Sequence, residues 1–218
     1  MQFTILTTFP DYFKTPLESS IVGRAINSNK ISVSLINIRD FAKDQHRTTD
    51  DRPFGGGAGM VMKIEPIDLA LQSVKQDVSS MHRSILLSAR GKRLDQTDVV
   101  RLSKYQSILL ICGHYGDVDQ RVADNLVNEE VSIGDFIMTG GEPGALVLVD
   151  AITRLLPGVV NNEASIKGES HTEPGMKSHP NYTRPATYKD WQVPEVLLSG
   201  NRAAIETWKK IQRKITSQ

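Results

Sequence analysis

The sequence predicts an α/β fold with a mostly parallel sheet and a small helical C-terminal part. Three observations predict it. Three short apolar runs, Ser84–Ser88, Ser107–Cys112 and Glu130–Ile133, each lead into a glycine-bearing loop and then a helical stretch. That repeated strand–loop–helix order belongs to parallel sheets whose strands are covered on both faces. The third loop opens a strongly apolar helical run, Glu142 to Leu156. Finally, the charge changes sign along the chain. Residues 176–218 hold eight Lys/Arg against three Asp/Glu, a net +5, whereas the preceding 175 residues carry −4.

In chain order, Met1–Thr7 reads as a first strand that Phe9-Pro10 ends. Phe13, Leu17, Ile21 and Ala25 recur at spacings near four, predicting one helix from about Tyr12 to Asn29. Ile31–Leu35 alternates apolar and polar side chains, and Ile36-Asn37-Ile38 continues with the phase shifted by one, as in a half-buried strand. Residues 46–60 follow, with four glycines between Gly55 and Gly59, too many for a regular element. Such a backbone either lets a ligand approach closely or acts as a hinge, and spacing alone leaves both readings open. A helical pattern returns from about Pro66 to Val74, and another helix opens at Leu94-Asp95-Gln96. Pro157-Gly158 stops the long apolar helix. Residues 161–175 are polar and aperiodic, which predicts a linker. Pro180–Pro185 is a stiff extended piece, and Ser199-Gly200-Asn201 starts a last helix with Ala204, Ile205, Trp208 and Ile211 on one face. The predicted organisation is therefore a domain over 1–160, a linker or lid over 161–175 and a helical domain over 176–218.

Composition narrows the function classes. Hydrophobic residues make up 39% and charged residues 23%, ordinary for a soluble globular chain. No apolar run approaches the roughly 18 residues that a membrane span needs, and Met1-Gln2-Phe3-Thr4-Ile5 lacks the features of a secretion signal. The single cysteine, Cys112, cannot form an internal disulfide and sits in an apolar run, as a buried structural thiol would. These features lead to the expectation of a cytoplasmic protein without a membrane partner. The five histidines show no zinc-ligand spacing, and a Walker A loop, a GxGxxG fingerprint and a serine-hydrolase elbow are all missing. Both tryptophans lie in the basic C-terminal segment, a combination suited to a polyanion such as nucleic acid, though also to a solvated helix face. Three glycine-bearing loops at one edge of a parallel sheet point to a shared ligand crevice. The residues by themselves support an α/β ligand-binding domain with a basic appendage and stop short of a reaction.

Several long motifs carry a resemblance. Asp50–Val61 (DDRPFGGGAGMV), Ser132–Phe136 with Thr139–Glu142, Pro180–Pro185 and Val193–Gly200 together resemble the bacterial tRNA (guanine-N1)-methyltransferases of the TrmD type, within the SPOUT knotted methyltransferase superfamily. The match is collinear from Met1 to about Trp208. It implies a trefoil knot in the α/β domain, a homodimer with its active site at the subunit interface, S-adenosylmethionine as methyl donor and tRNA guanine 37 as target. It also implies a magnesium dependence, for which no ligand set stands out in the sequence. Carried over residue by residue, it implies donor contacts from Leu87, Ser88, Gly113, Tyr115, Ser132, Ile133, Gly134, Asp135, Phe136, Ile137, Met138, Gly140 and Gly141. The implied substrate contacts are Asp50, Gly59, His114, Tyr182, Arg184 and Ser199. Arg154 matches the arginine that stabilises charge on the guanine.

Two departures from the family pattern stand out. Where the family has Asp-Ser-Phe after the start of the linker, this chain has Gly168-Glu169-Ser170-His171. Glu169 then replaces the aspartate as base, with Glu173 and His171 as alternatives. In Gly113-His114-Tyr115-Gly116-Asp117 the usual arginine after the first glycine is His114, and the glutamate two positions later is Gly116. Two other functions stay open at this level: methylation of a different RNA atom by a related knotted enzyme, and RNA binding without catalysis.

Overall fold

A computed structural model describes residues 1–74, 81–161, 166, 168–173 and 175–215. The chain divides into two compact units, Met1–Asn161 and Asn162–Gln218.

In the first unit, strand β1 (Gln2–Thr7) is followed by a 3₁₀ turn at Pro10–Phe13 and two short helices, α1 (Lys14–Glu18) and α2 (Ser20–Asn27). The single helix expected from Tyr12 to Asn29 is thus broken. Ser19 is extended, Ser20 takes a left-handed φ of 55°, and α2 turns back towards Glu18. The break depends on Gly23, where any Cβ would overlap the Glu18 carbonyl. Strand β2 (Ser32–Asn37) comes next, then two two-residue strands, β3 (Asp50–Asp51) and β4 (Val61–Met62), which bracket the glycine-rich loop as an antiparallel pair. Helix α3 (Ile64–Ser73) leads to β5 (His82–Arg93), α4 (Gln96–Leu102), β6 (Ser107–Cys112), the short β7 (Asp117–Val118), α5 (Gln120–Asn125), β8 (Glu129–Ser132) and α6 (Glu142–Thr153).

The central sheet has the order β2-β1-β6-β5-β8, and every pairing in it is parallel. Side chains alternate across a strand, and each inner strand feeds two cores. Phe3 and Ile5, Ile85 and Leu87, and Ile108, Leu110 and Cys112 face one cluster with residues of α2, α4 and α6. Leu6, Leu86, Leu109 and Ile111 face the other with residues of α3 and α5. This two-sided burial is why the inner strands read as continuous apolar runs. The phase shift in β2 has the same origin, since Leu35 packs on the first cluster and Ile36 on the second.

The ladder between β5 and β8 is irregular. Leu87 pairs with Val131, and so does Lys92, five residues later, so Ser88–Gly91 leave the ladder as an arch. The strand read as Ser84–Ser88 is therefore longer, and its far end is re-paired. Gly91 returns so close to the backbone of Glu130 and Val131 that a Cβ would overlap it.

The second unit contains the hairpin β9 (Thr187–Tyr188) and β10 (Trp191–Gln192), the single turn α7 (Glu195–Leu198) and α8 (Arg202–Ile215). The Asn201 side chain caps α8 by accepting the Ala204 N–H at 3.2 Å. The Trp208 ring packs near those of His179 and Tyr182, at 6.3 and 6.4 Å between centroids. In the expected linker, residues 162–165, 167 and 174 lie outside the described residues. Among the described residues no helix is long and apolar enough to cross a membrane.

Candidate functional site

The carboxyl ends of β5, β6 and β8 surround a cleft of about 290 Å³. Its walls are Leu87 with Ser88–Arg90 of the arch, the loop Gly113–Val118, and the segment Val131–Ile133 with Phe136–Gly141, closed below by Gly144 of α6. A crevice beyond the carboxyl ends of parallel strands is where open α/β sheets hold ligands.

Close backbone packing fixes these walls together. The Gly141 N–H donates to the Gly113 carbonyl at 2.7 Å. A Cβ at Gly141 would stand 2.9 Å from Cys112 Cα and 3.0 Å from the Gly113 nitrogen, so only glycine fits there. Its φ of −80° is ordinary, so the constraint is space and not backbone strain. The Gly116 N–H donates to the Met60 carbonyl at 2.9 Å and β7 pairs with β4, which ties the β3–β4 hairpin to the wall. Arg90 and Asp117 form an ion pair of 3.2 Å between the arch and the second loop.

Beneath the cleft runs a polar chain. The Phe9 N–H donates to Thr7 Oγ1 at 2.9 Å, and the Thr7 hydroxyl donates to Glu142 Oε1 at 2.7 Å. Glu142 opens α6 and is almost fully buried, where the helix N-terminus favours its negative charge. Its other oxygen lies 3.6 Å from His114 Nδ1, a buried nitrogen without a hydrogen-bond partner in this structure. Both atoms occupy the space that a Cβ at Gly140 would need. The His114 ring also meets Phe9 and Tyr115, with centroids 4.7 and 5.1 Å away, and Arg39 donates to the Tyr115 hydroxyl at 2.9 Å. Burial, with Glu142 nearby, pushes the Cys112 thiol well above its usual range, so it is an inert core group. The cleft thus combines apolar walls with main-chain groups and a few polar side chains, an arrangement for holding a ligand.

A charge cluster stiffens the sheet behind the arch. Glu129 accepts from Arg83 and Arg101 at 2.8 Å, and Asp98 accepts from Lys92 and Arg101. Burial raises the Glu129 and Asp98 carboxyls, but these hydrogen bonds outweigh it and hold both below the ordinary carboxylate range.

Of the expected donor contacts, Leu87, Ser88, Gly113, Tyr115, Ser132, Ile133, Phe136, Ile137, Met138, Gly140 and Gly141 line this cleft. Gly134 and Asp135 do not: Gly134 packs under the Phe136 ring, and Asp135 pairs with Arg93 in solvent. His114, expected at the substrate, also lines the cleft, whereas Asp50 and Gly59 are in the β3–β4 hairpin outside it. Arg154 caps the C-terminus of α6. Glu169, Tyr182, Arg184 and Ser199 belong to the second unit, where Glu169 lines a shallow polar depression with Ser170, Ser178, His179, Asn181 and Arg213. Arg90, Asp117 and Thr139 also line the cleft and were not singled out from sequence. Asp117 and Thr139 belong to stretches already quoted from the sequence, and Arg90 stands next to Gly91 in the first loop. Among the described residues, no group of three or more His, Cys, Asp or Glu is placed to hold a metal ion.

The family description "tRNA (Guanine-1)-methyltransferase TrmD" matches residues 1–218. The chain belongs to the TrmD family. It is similar to the tRNA (guanine-N(1)-)-methyltransferase of Ruminiclostridium cellulolyticum, with 45% identity over 97% of this chain and 91% of the relative. The protein of the same name from Gloeobacter violaceus is 46% identical over 98% and 93% of the two chains, and that of Carboxydothermus hydrogenoformans 46% over 97% and 82%. In the second loop the close packing falls at Gly116, where a Cβ would stand 3.0 Å from the Met60 carbonyl oxygen.

Proposed function

We infer that the chain transfers a methyl group from S-adenosylmethionine to N1 of guanine 37 in tRNA. The observation that carries this reading is the TrmD match over the whole chain, which includes every loop of the cleft. The cleft residues fit the donor. Leu87, Ile133 and Met138 offer apolar walls for a purine ring and an aliphatic chain, and Gly113, Gly140 and Gly141 let the walls of the cleft pack closely on one another. When bound, the donor supplies an electrophilic methyl group on a sulfonium sulfur.

The residues of the chain handle the proton. Neutral guanine N1 carries a hydrogen and its lone pair is delocalised into the ring, so attack requires that the proton leave. Glu169 is the proposed base, with Glu173 and His171 as the alternatives. Arg154 is the proposed cation that stabilises negative charge at guanine O6. A positioned general base contributes about 10²–10⁴-fold, and holding both substrates in line contributes more. The basic segment 176–218 holds the tRNA, and the linker 161–175, part of which lies outside the described residues, forms a lid over the partner subunit's donor when substrate binds. The proposal further includes a trefoil knot, a homodimer with its active sites between subunits, a cytoplasmic location and magnesium as a reaction component without an assigned ligand on the chain. Supporting the knot, the chain leaving edge strand β8 returns to hydrogen-bond Gly113 through Gly141. Supporting the dimer, the first unit leaves Phe136, Ile137 and Val147 exposed.

The test is mass analysis of tRNA nucleosides after incubation with isotopically labelled donor. N1-methylguanine at position 37 is the expected product. A label on a ribose hydroxyl or another base atom, or no label, rejects the reading.

A further inference from the structure

The hairpin β9–β10 has no role in the cleft, yet it displays the most exposed aromatic pair of the second unit. Tyr188 and Trp191 face each other in register, with ring centroids 6.0 Å apart and planes tilted by 47°. Tyr188 is 58% and Trp191 68% exposed, and every residue from Asn181 to Gln192 is exposed. Among the described residues, the ring contacts of Tyr188 and Trp191 are with each other and with Lys189. Between them, Lys189 adopts a left-handed φ of 56°, and its ammonium lies 5.6 Å from both ring centroids. Asp190 is the only acid between Met176 and Val193, a stretch that also holds Lys177, Arg184 and Lys189.

Two large, mostly exposed aromatic rings with a lysine ammonium near both form a surface complementary to a base and its phosphate. Every nucleobase has a π face, and stacking on an aromatic side chain is tolerant of sequence. A lysine resting on aromatic rings gains little at an exposed site, so a phosphate can draw it away and free the rings. We propose that Tyr188, Lys189 and Trp191 form a stacking platform for an unpaired nucleobase of the tRNA, with Lys189 taking the adjoining phosphate. The proposal rests on the reading of tRNA as substrate. It assigns the hairpin a part in binding the RNA, away from the methyl-transfer chemistry.

The experiment measures equilibrium binding of tRNA, and of a fully paired RNA duplex of similar length, between about 50 and 200 mM salt. Trp191→Ala is expected to weaken tRNA binding about 5- to 150-fold, the range for loss of one stacked base, and to leave duplex binding unchanged. Trp191→Phe keeps a ring and should bind close to wild type. Lys189→Gln should lower the slope of log affinity against log salt by about 0.7–0.9, the share of one phosphate contact. If Trp191→Ala does not fold, Tyr188→Ala serves in its place. A Trp208→Phe variant then reports on Trp191 fluorescence, which tRNA should quench and the duplex should not. Wild-type affinity for tRNA in folded Trp191→Ala and Tyr188→Ala variants overturns the platform. So does equal weakening for tRNA and duplex. A change in molecular mass with unchanged tRNA affinity also overturns it, and assigns the rings to contact between copies of the chain. If the wild type forms N1-methylguanine while those variants bind normally, only the platform falls. If the wild type forms none, the proposed function falls.

Discussion

Replacing Gly141 by alanine introduces one methyl group where two walls of the cleft meet backbone to backbone. The new Cβ would sit 2.9 Å from Cys112 Cα, 3.0 Å from the Gly113 nitrogen and 3.1 Å from Leu87 Cβ. Two of these neighbours are backbone atoms of β6 and its following loop, so no side-chain rotation relieves the clash. Overpacking of this kind costs about 1–3 kcal/mol. Separating the two walls also strains the 2.7 Å bond from the Gly141 N–H to the Gly113 carbonyl, worth about 1 kcal/mol. The expected loss is about 2–4 kcal/mol, which for a chain of this size lowers Tm by roughly 5–15 °C. Because β6 and the β8–α6 segment are pushed apart, affinity for S-adenosylmethionine should fall as well. Gly144→Ala is the matched control. There the nearest atoms to the Cβ are side-chain carbons at 3.5 Å, an ordinary contact, and the position is inside α6, where alanine is preferred over glycine by about 1 kcal/mol. Thermal unfolding followed by circular dichroism, with calorimetric titration of the donor, separates the two variants. If Gly141→Ala unfolds at the wild-type temperature and binds the donor normally, the walls are not held as described.

Three further outcomes are expected. Thr7→Val keeps the shape of the side chain but leaves buried Glu142 Oε1 and the Phe9 N–H unpaired, costing about 1–3 kcal/mol in urea unfolding. A wild-type midpoint would refute the polar chain beneath the cleft. Glu129→Gln removes charge-assisted bonds from Arg83 and Arg101 and should cost about 1–3 kcal/mol at pH 7. The folded Glu129 carboxyl is held below its ordinary 4.5, so its contribution is fully present above that value and disappears as pH falls through the lower folded value. The stability gap between wild type and Glu129→Gln should therefore be constant near neutrality and close below about pH 4.5. A gap that persists unchanged at pH 3 contradicts the assignment. Finally, Glu169→Ala should lower kcat about 10²- to 10⁴-fold with donor binding intact, and Arg154→Ala should do the same by removing the cation at O6. Full single-turnover rates in Glu169→Ala would move the role of base to Glu173 or His171.

Much of the architecture was legible because its determinants are local. The apolar runs of β1, β5 and β6 and the single stripe of α3 are periodicities within one stretch of chain, and each glycine-bearing loop follows its strand directly. The departures at residues 114 and 116 were legible as well, but the contact made at one of them was not: Gly116 lies against Met60, 56 positions earlier. The break between α1 and α2 was hidden, since the apolar spacing continues through Ser19 and Ser20 while the backbone does not. The hairpin at 187–192 was hidden too, because two-residue strands carry no periodicity.

By itself the sequence determined the fold class, the cleft loops and the charge asymmetry, for these follow from the order and kind of neighbouring residues. Only the tertiary structure decided the partners. It re-paired β5 with β8 after the arch, placed Thr7 against Glu142 across 135 positions, and laid Gly116 against Met60. Such pairs form only after the loops between them have closed, so the residues at each end bear no local mark of one another.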